Sequence, residues 1–339
     1  MVKQNKYLIN YKDLFGSALA CSSNFTDYFI PDDIFHDTKL IIKSNKFEFD
    51  DQINQIFEAL NIEIMNLNFM VFAQDIFIFY IGKDRPECNL LRIILNTEYE
   101  LPLLYHFDHR DRSKILQQLE EKIPNLVINR LALTPTISTF DKGGNFLGIP
   151  LSHTYIKIYP KEAMMCEMFP DKCFVLLSYS QIEGHVDEIL CFMPYGIDKF
   201  KLWFYQPINT EGLPPEVKTL INKNYEYNKL KLEAKFGAEN IIYFPVEFLE
   251  SGHIKSPPLF NRLSIKKEKT YTFVFPDQSA EIKELINTQI AIIKTNLSDY
   301  TININYINTT TSHNMTGFGD TIGGNLHCIV KQVMNSYPV

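Results

Sequence analysis

The chain is poor in the features that would send it to a membrane, an oxidising compartment or a polyanion. No run approaches the ~18 apolar residues of a membrane span, and even the stretch from Phe69 to Ile81 is broken by Gln74 and Asp75. Residues Met1 to Ile30 mix Lys, Asn, Asp and Ser with short apolar runs. They do not contain the continuous apolar segment of about 7–15 residues that marks a secretory signal. A cytoplasmic chain with no signal peptide and no transmembrane segment is therefore expected, with delivery as a translocated bacterial effector left open. Positive charge is in deficit: 33 Lys and Arg face 40 Asp and Glu, for a net charge of -7. Nucleic acid and membrane surfaces are not expected partners. The local basic group Lys229, Lys231 and Lys235 reads as a solvated helix face. The six cysteines, Cys21, Cys88, Cys166, Cys173, Cys191 and Cys328, form no Cys-x-x-Cys pair. Free thiols, no structural metal and no cofactor are expected. Pro-rich and Gly/Ser-rich linkers are also missing, which favours one large domain over two tethered ones.

Against these absences stand 45% hydrophobic and 13% aromatic residues in 339, ample to bury a large core. Short runs rich in Ile, Val, Phe and Tyr predict strands at Lys39–Lys43, Phe69–Phe72, Ile76–Ile81, Leu90–Leu95, Thr136–Phe140, Tyr155–Tyr159, Phe174–Tyr179 and Lys201–Tyr205. Helical spacing predicts helices at Asp51–Leu60, Ser113–Ile123, Pro215–Phe236 and Ser279–Leu297. Pro215 suits a first helical turn, Gly237 a helix end and Ser279 an N-cap. The run Asp141-Lys142-Gly143-Gly144-Asn145 predicts a hairpin turn between Thr136–Phe140 and Phe146–Ile149. The fold class is α/β.

Two segments carry residue types suited to chemistry. Near the C-terminus, Gly323-Gly324-Asn325-Leu326-His327-Cys328 sets a thiol directly after a flexible turn. A neighbouring imidazolium, a helix N-terminus or a cationic substrate can convert such a thiol to the nucleophilic thiolate. An inert buried cysteine after a Gly-Gly turn is the alternative. In mid-chain, Glu183-Gly184-His185-Val186-Asp187-Glu188 sets one imidazole among three carboxylates after a strand-like run. His185 can exchange protons near neutral pH, and Asp187 can hold a planar cation by paired hydrogen bonds. A solvated histidine among surface acids is the alternative. His185 and Cys328 stand 143 positions apart, so they meet only if the fold brings them together.

Taken together, Gly184-His185-Val186-Asp187-Glu188 and Gly323-Gly324-Asn325-Leu326-His327-Cys328 resemble the guanidino-group-modifying superfamily. The first segment, continuing to Pro194 and Phe200-Lys201-Leu202, is most similar to the protein-arginine deiminases, and the second to the agmatine deiminases. The resemblance implies a pentein-like, five-bladed pseudo-symmetric α/β propeller over residues 1–339, with a divergent N-terminal portion over 1–125. It also implies a deiminase whose product is a ureido group and ammonia. Cys328 would attack the guanidinium carbon, His185 would serve as acid and base, and Asp187 would bind guanidinium nitrogens. Substrates would be an arginine-containing protein or peptide, or a small guanidino compound such as agmatine.

One departure is visible. Such deiminases carry an earlier Asp that grips the guanidinium from the other side, and the best counterpart here offers Ala132. Asp108, Asp111, Glu183 and Asp320 are the candidate substitutes. Losing one charge-assisted partner costs about 1.5–3 kcal/mol, enough to redirect substrate choice. Amidino transfer, and a degenerate binder of cationic side chains through Asp187 and Glu188, remain the alternatives. The cluster His106-Phe107-Asp108-His109-Arg110-Asp111 has metal-ligand residue types, but it reads better as an acidic turn before a helix.

Overall fold

Runs of β-branched and aromatic residues separated by amphipathic helices fold into small sheets in the computed structural model of the chain. The residues described are 8–10, 28–29, 34–44, 49–67, 77–81, 91–96, 121, 127–132, 146–150, 154–158, 173–177, 186–255, 259–309 and 326–334. In chain order they begin with β1 (Leu8–Asn10), β2 (Tyr28–Phe29), β3 (Thr38–Ser44), helix α1 (Asp50–Ala59), β4 (Glu63–Leu67), β5 (Phe77–Ile81), β6 (Leu91–Asn96) and β7 (Val127–Ala132). Next come β8 (Phe146–Gly148), β9 (Thr154–Ile158), β10 (Cys173–Leu177), a 3-10 turn at Val186–Glu188, β11 (Leu190–Gly196) and β12 (Lys199–Pro207). The C-terminal part holds α2 (Pro215–Phe236), β13 (Ile241–Val246), β14 (Leu263–Lys267), β15 (Thr270–Pro276), α3 (Ala280–Asn296), β16 (Thr301–Ile307), α4 (Leu326–Ile329) and β17 (Val330–Met334).

Among the described residues there are five sheets, and each contains the same three-strand unit, an antiparallel pair followed by a parallel partner. The units are β5-β6-β7, β8-β9-β10, β11-β12-β13, β14-β15-β16 and β17-β3-β4. Parallel neighbours cannot be joined by a tight turn and need a crossover. Helices α1, α2 and α3 occupy that position between β3 and β4, β12 and β13, and β15 and β16. In the last unit a late strand pairs with an early one, for Val330 lies opposite Lys43 and Val333 opposite Leu40.

Local sequence explains the helix limits. Pro215 begins α2, and Gly237 follows it at φ 82°, a left-handed conformation that costs glycine little. The Ser279 side chain accepts a hydrogen bond from the Ile282 main-chain N–H and caps α3. Helix α3 buries Ile286, Ile290 and Ile293, a single stripe at helical spacing. On α2, Lys231 and Lys235 are exposed, and Lys229 lies 5.9 Å from the Tyr243 ring centroid. Trp203 of β12, fully buried, packs on Phe244 with ring centroids 4.5 Å apart and anchors the larger core. The expected strand at Phe69–Phe72 and the hairpin with its first strand at Thr136–Phe140 lie outside the described residues, as does the expected helix Ser113–Ile123 except Glu121. Phe146–Gly148 pairs with Thr154–Ile158. No described helix is long and apolar enough to cross a membrane.

A buried ion pair ties α1 to its sheet. Lys43 of β3 is fully buried, and its Nζ stands 2.5 Å from Asp50 Oδ1 in the first turn of α1. Burial holds the Lys43 pKa below the ordinary lysine value, and the bond to Asp50 offsets part of that shift. Removing one member of such a pair strands the other charge. Asp50→Ala is expected to destabilise the chain by about 3–5 kcal/mol in denaturant unfolding. The paired change Lys43→Met with Asp50→Leu is expected to recover most of that loss.

A phenol on β11 makes a second prediction. Tyr195 donates a hydrogen bond to Gln289 Oε1 of α3 at 2.6 Å, and burial pushes its pKa from 10.0 up to about 12. Between those values the folded chain keeps a proton that the unfolded chain has lost. The Tyr195 contribution to stability is complete below pH 10 and disappears as pH rises through about 12. Tyr195→Phe is expected to flatten the fall in unfolding midpoint over this window.

Candidate active site

The mid-chain segment forms a tight 3-10 turn at Val186–Glu188, closed by a hydrogen bond from the Ile189 N–H to the Val186 carbonyl. Ile189 then accepts a hydrogen bond from the Tyr205 main-chain N–H, which joins the turn to β12. Val186 and Ile189 are fully buried and pull the turn into the core. The acids go in with them, Asp187 at 2% and Glu188 at 8% exposure, so these two carboxylates are not surface acids.

The C-terminal segment reaches the same place by a different route. Leu326 and Ile329 occupy one face of the single turn of α4 and are buried in the second core cluster. The main-chain N–H of His327 donates to Oδ1 of the buried Asn261, at 2.9 Å. With the turn fixed in this way, His327 Nδ1 stands 2.7 Å from Asp187 Oδ2, and the two motif segments meet across 140 positions of chain.

Of the residues expected in the site, Asp187 is described, and it lies beside His327. Cys328 follows His327 in α4 by its main chain, and its side chain lies outside the described part. His185 precedes the described turn and lies outside the described residues, as do Asp108, Asp111, Glu183 and Asp320 and the cluster His106–Asp111. Ala132 ends β7, opposite Asn10 of β1. Among the described residues no group of three or more His, Cys, Asp or Glu is arranged to hold a metal ion.

Sequence reasoning gave no role to His327, although it stands inside the C-terminal motif beside Cys328. Asn261 and Arg262 were given none either, and Cys191 was expected only as a free thiol. Asp187, Cys191, Arg262, Ser264, His327 and Gln332 line one cavity of about 30 Å³, room for a single water-sized guest. Arg262, 4% exposed, donates from Nη1 to Ser264 Oγ and from Nη2 to the Phe192 carbonyl. Its guanidinium carbon lies 5.8 Å from the Phe273 ring centroid. Gln332 donates to the Ser264 carbonyl at 3.1 Å and accepts from Thr38 Oγ1 at 2.9 Å. The polar groups thus bridge β3, β17, β14 and β11. The only sequence signal was alternation: Arg262 and Ser264 fall on one face while Leu263 and Ile265 fall on the other.

Cys191 is a buried free thiol in this cavity. Burial raises its pKa above the ordinary thiol value, and the positive charge of Arg262 only partly opposes the shift. It is a neutral, unreactive thiol at physiological pH. Alkylation of the native chain at pH 8 is expected to spare Cys191, with modification appearing only after unfolding, as read by peptide mass mapping.

No protein-family model matches this chain, and no curated protein matches it by sequence. Solved structures do. The chain is similar to the C. jejuni agmatine deiminase, with a TM-score of 0.55, 11% identity, and coverage of 92% of this chain and 98% of that one. It is similar also to the agmatine deiminase of Enterococcus faecalis, with a TM-score of 0.52, 14% identity, and coverage of 90% and 95%. At these identities what is shared is the architecture, and it extends over nearly the whole of each chain: the protein has the α/β fold seen in solved guanidino-group deiminases.

Proposed function

We propose that the chain is a cysteine-dependent deiminase that hydrolyses a guanidinium group to a ureido group and ammonia. The observation that carries this reading is the 2.7 Å contact between Asp187 and His327, which joins the two motif segments at one buried cavity. The five repeated three-strand units support a five-bladed propeller, read as a single domain over residues 1–339 with a divergent portion over 1–125. The neighbouring agmatine deiminases support guanidino chemistry on this fold. The substrate class is peptidyl-arginine or a small guanidino compound such as agmatine, acted on in the cytoplasm without cofactor or metal.

In this reading Asp187 holds the planar cation by charge-assisted hydrogen bonds, and the cation favours the Cys328 thiolate. The thiolate adds to the guanidinium carbon and forms a C–S bond. His185 protonates the departing nitrogen, the C–N bond breaks and ammonia leaves, giving a thiouronium intermediate on Cys328. His185 then takes a proton from water, whose oxygen adds to the same carbon. Collapse breaks the C–S bond, releases the ureido product and restores the thiolate.

The test is incubation of the full chain with peptidyl-arginine, free arginine and agmatine, with ammonia and ureido product measured together. Cys328→Ala is expected to abolish turnover, and His185→Ala to lower it by about 10²-fold or more. Ammonia release unchanged in Cys328→Ala would overturn the nucleophile. A new guanidino compound formed from an added amine, in place of the ureido product, would assign amidino transfer.

A further inference from the structure

We propose that His327 is the positioning residue that sets the direction and the net charge of the Asp187 carboxylate, so that a planar cation is taken up only while His327 is neutral. This rests on the reading of Asp187 as the guanidinium ligand and adds a residue to which that mechanism gives no part.

Three observations support it. The Asp187 side chain is 3% exposed and that of His327 12%, so a change of charge on either is poorly screened by water. His327 cannot drift from the carboxylate, because its main chain is held by Asn261 and its neighbours Leu326 and Ile329 are anchored at 0% and 1% exposure. A neutral imidazole with its proton on Nδ1 donates to Oδ2 and fixes the direction of the carboxylate. Held this way, the pair carries one negative charge and presents it from a fixed direction. Protonation on Nε2 cancels that charge without breaking the bond.

The other ionisable groups of the cavity sharpen the effect. Among the described residues that line it are Cys191, a neutral thiol, and Arg262, a permanent cation. Glu188, next to Asp187 in the same turn, is buried but is not part of the lining. Imidazole is the side chain whose ordinary titration falls between pH 5 and 8. With His327 neutral, Asp187 and Arg262 balance. With His327 protonated, a guanidinium meets an excess of positive charge.

The test uses the full chain carrying Cys328→Ala, which prevents turnover, and calorimetric binding of agmatine and of an arginine-containing tripeptide amide from pH 5 to 8. The dissociation constant is expected to rise toward acid pH, approaching tenfold per pH unit once His327 is protonated. His327→Gln keeps a neutral N–H donor at every pH and is expected to flatten that dependence to less than about twofold. A His327→Gln chain that retains the parental slope would overturn the proposal and leave the deiminase reading intact. Failure of every variant to bind either probe would overturn the deiminase reading and the proposal with it. A ligand-independent arm is the ¹⁵N imidazole spectrum at pH 8, where the His327 proton is expected on Nδ1 in the parent and on Nε2 in Asp187→Ala. A proton already on Nε2 in the parent would overturn the assignment whatever binds.

Discussion

A carboxylate with 2% of its residue surface in water has given up most of its hydration, and that loss must be met by hydrogen bonds or opposite charge. Asp187 meets it with the His327 imidazole at 2.7 Å. The partner comes from 140 positions away, so neither segment can settle into its place before the sheets that carry them have assembled. The turn at Val186–Glu188 depends on β11 and β12, and α4 depends on Asn261 at the entry to β14. The contact is therefore as much a product of the five-unit architecture as a feature of the site.

The polar residues around that contact do structural work that apolar packing could not do with the same specificity. Arg262 ties β14 to the main chain of β11, and Gln332 of β17 reaches Ser264 on one side and Thr38 of β3 on the other. Buried polar groups gain little stability over well-packed apolar ones, but each fixes the direction of its partner. Apolar contact dominates farther out, as in the Trp203, Phe244 and Phe275 rings and the Ile stripe of α3. The result is an oriented polar centre within an apolar shell.

Much of this was legible from local patterns. Pro215, Gly237 and Ser279 bracket helices at the positions that their backbone chemistry dictates, and α2 runs from Pro215 to Phe236 as helical spacing predicts. Strands such as β9 and β12 follow short apolar runs. The burial of Asp187 was not legible, because two adjacent acids in a turn are ordinarily solvated, and only the pull of Val186 and Ile189 draws them inward. The pairing of β17 with β3 was hidden for another reason: it joins residues almost a full chain apart, and no local pattern encodes such a closure. Arg262 and Cys191 stood in unremarkable stretches, and their meeting depends on the packing of β11 beside β14. The resemblance paired Gly184–Glu188 with Gly323–Cys328, but it did not say that His327 would be the residue to touch Asp187.

Charge balance among the described lining residues bears on the proposed chemistry. Arg262 already places one permanent cation on the lining, and Asp187 is the described anion that answers it. A substrate guanidinium held by Asp187 would add a second positive charge beside Arg262. In the proposed mechanism the Cys328 thiolate is a group that meets it, since ionisation of the thiol supplies negative charge. Substrate binding and thiol ionisation then become a single linked event, each strengthening the other by the same factor.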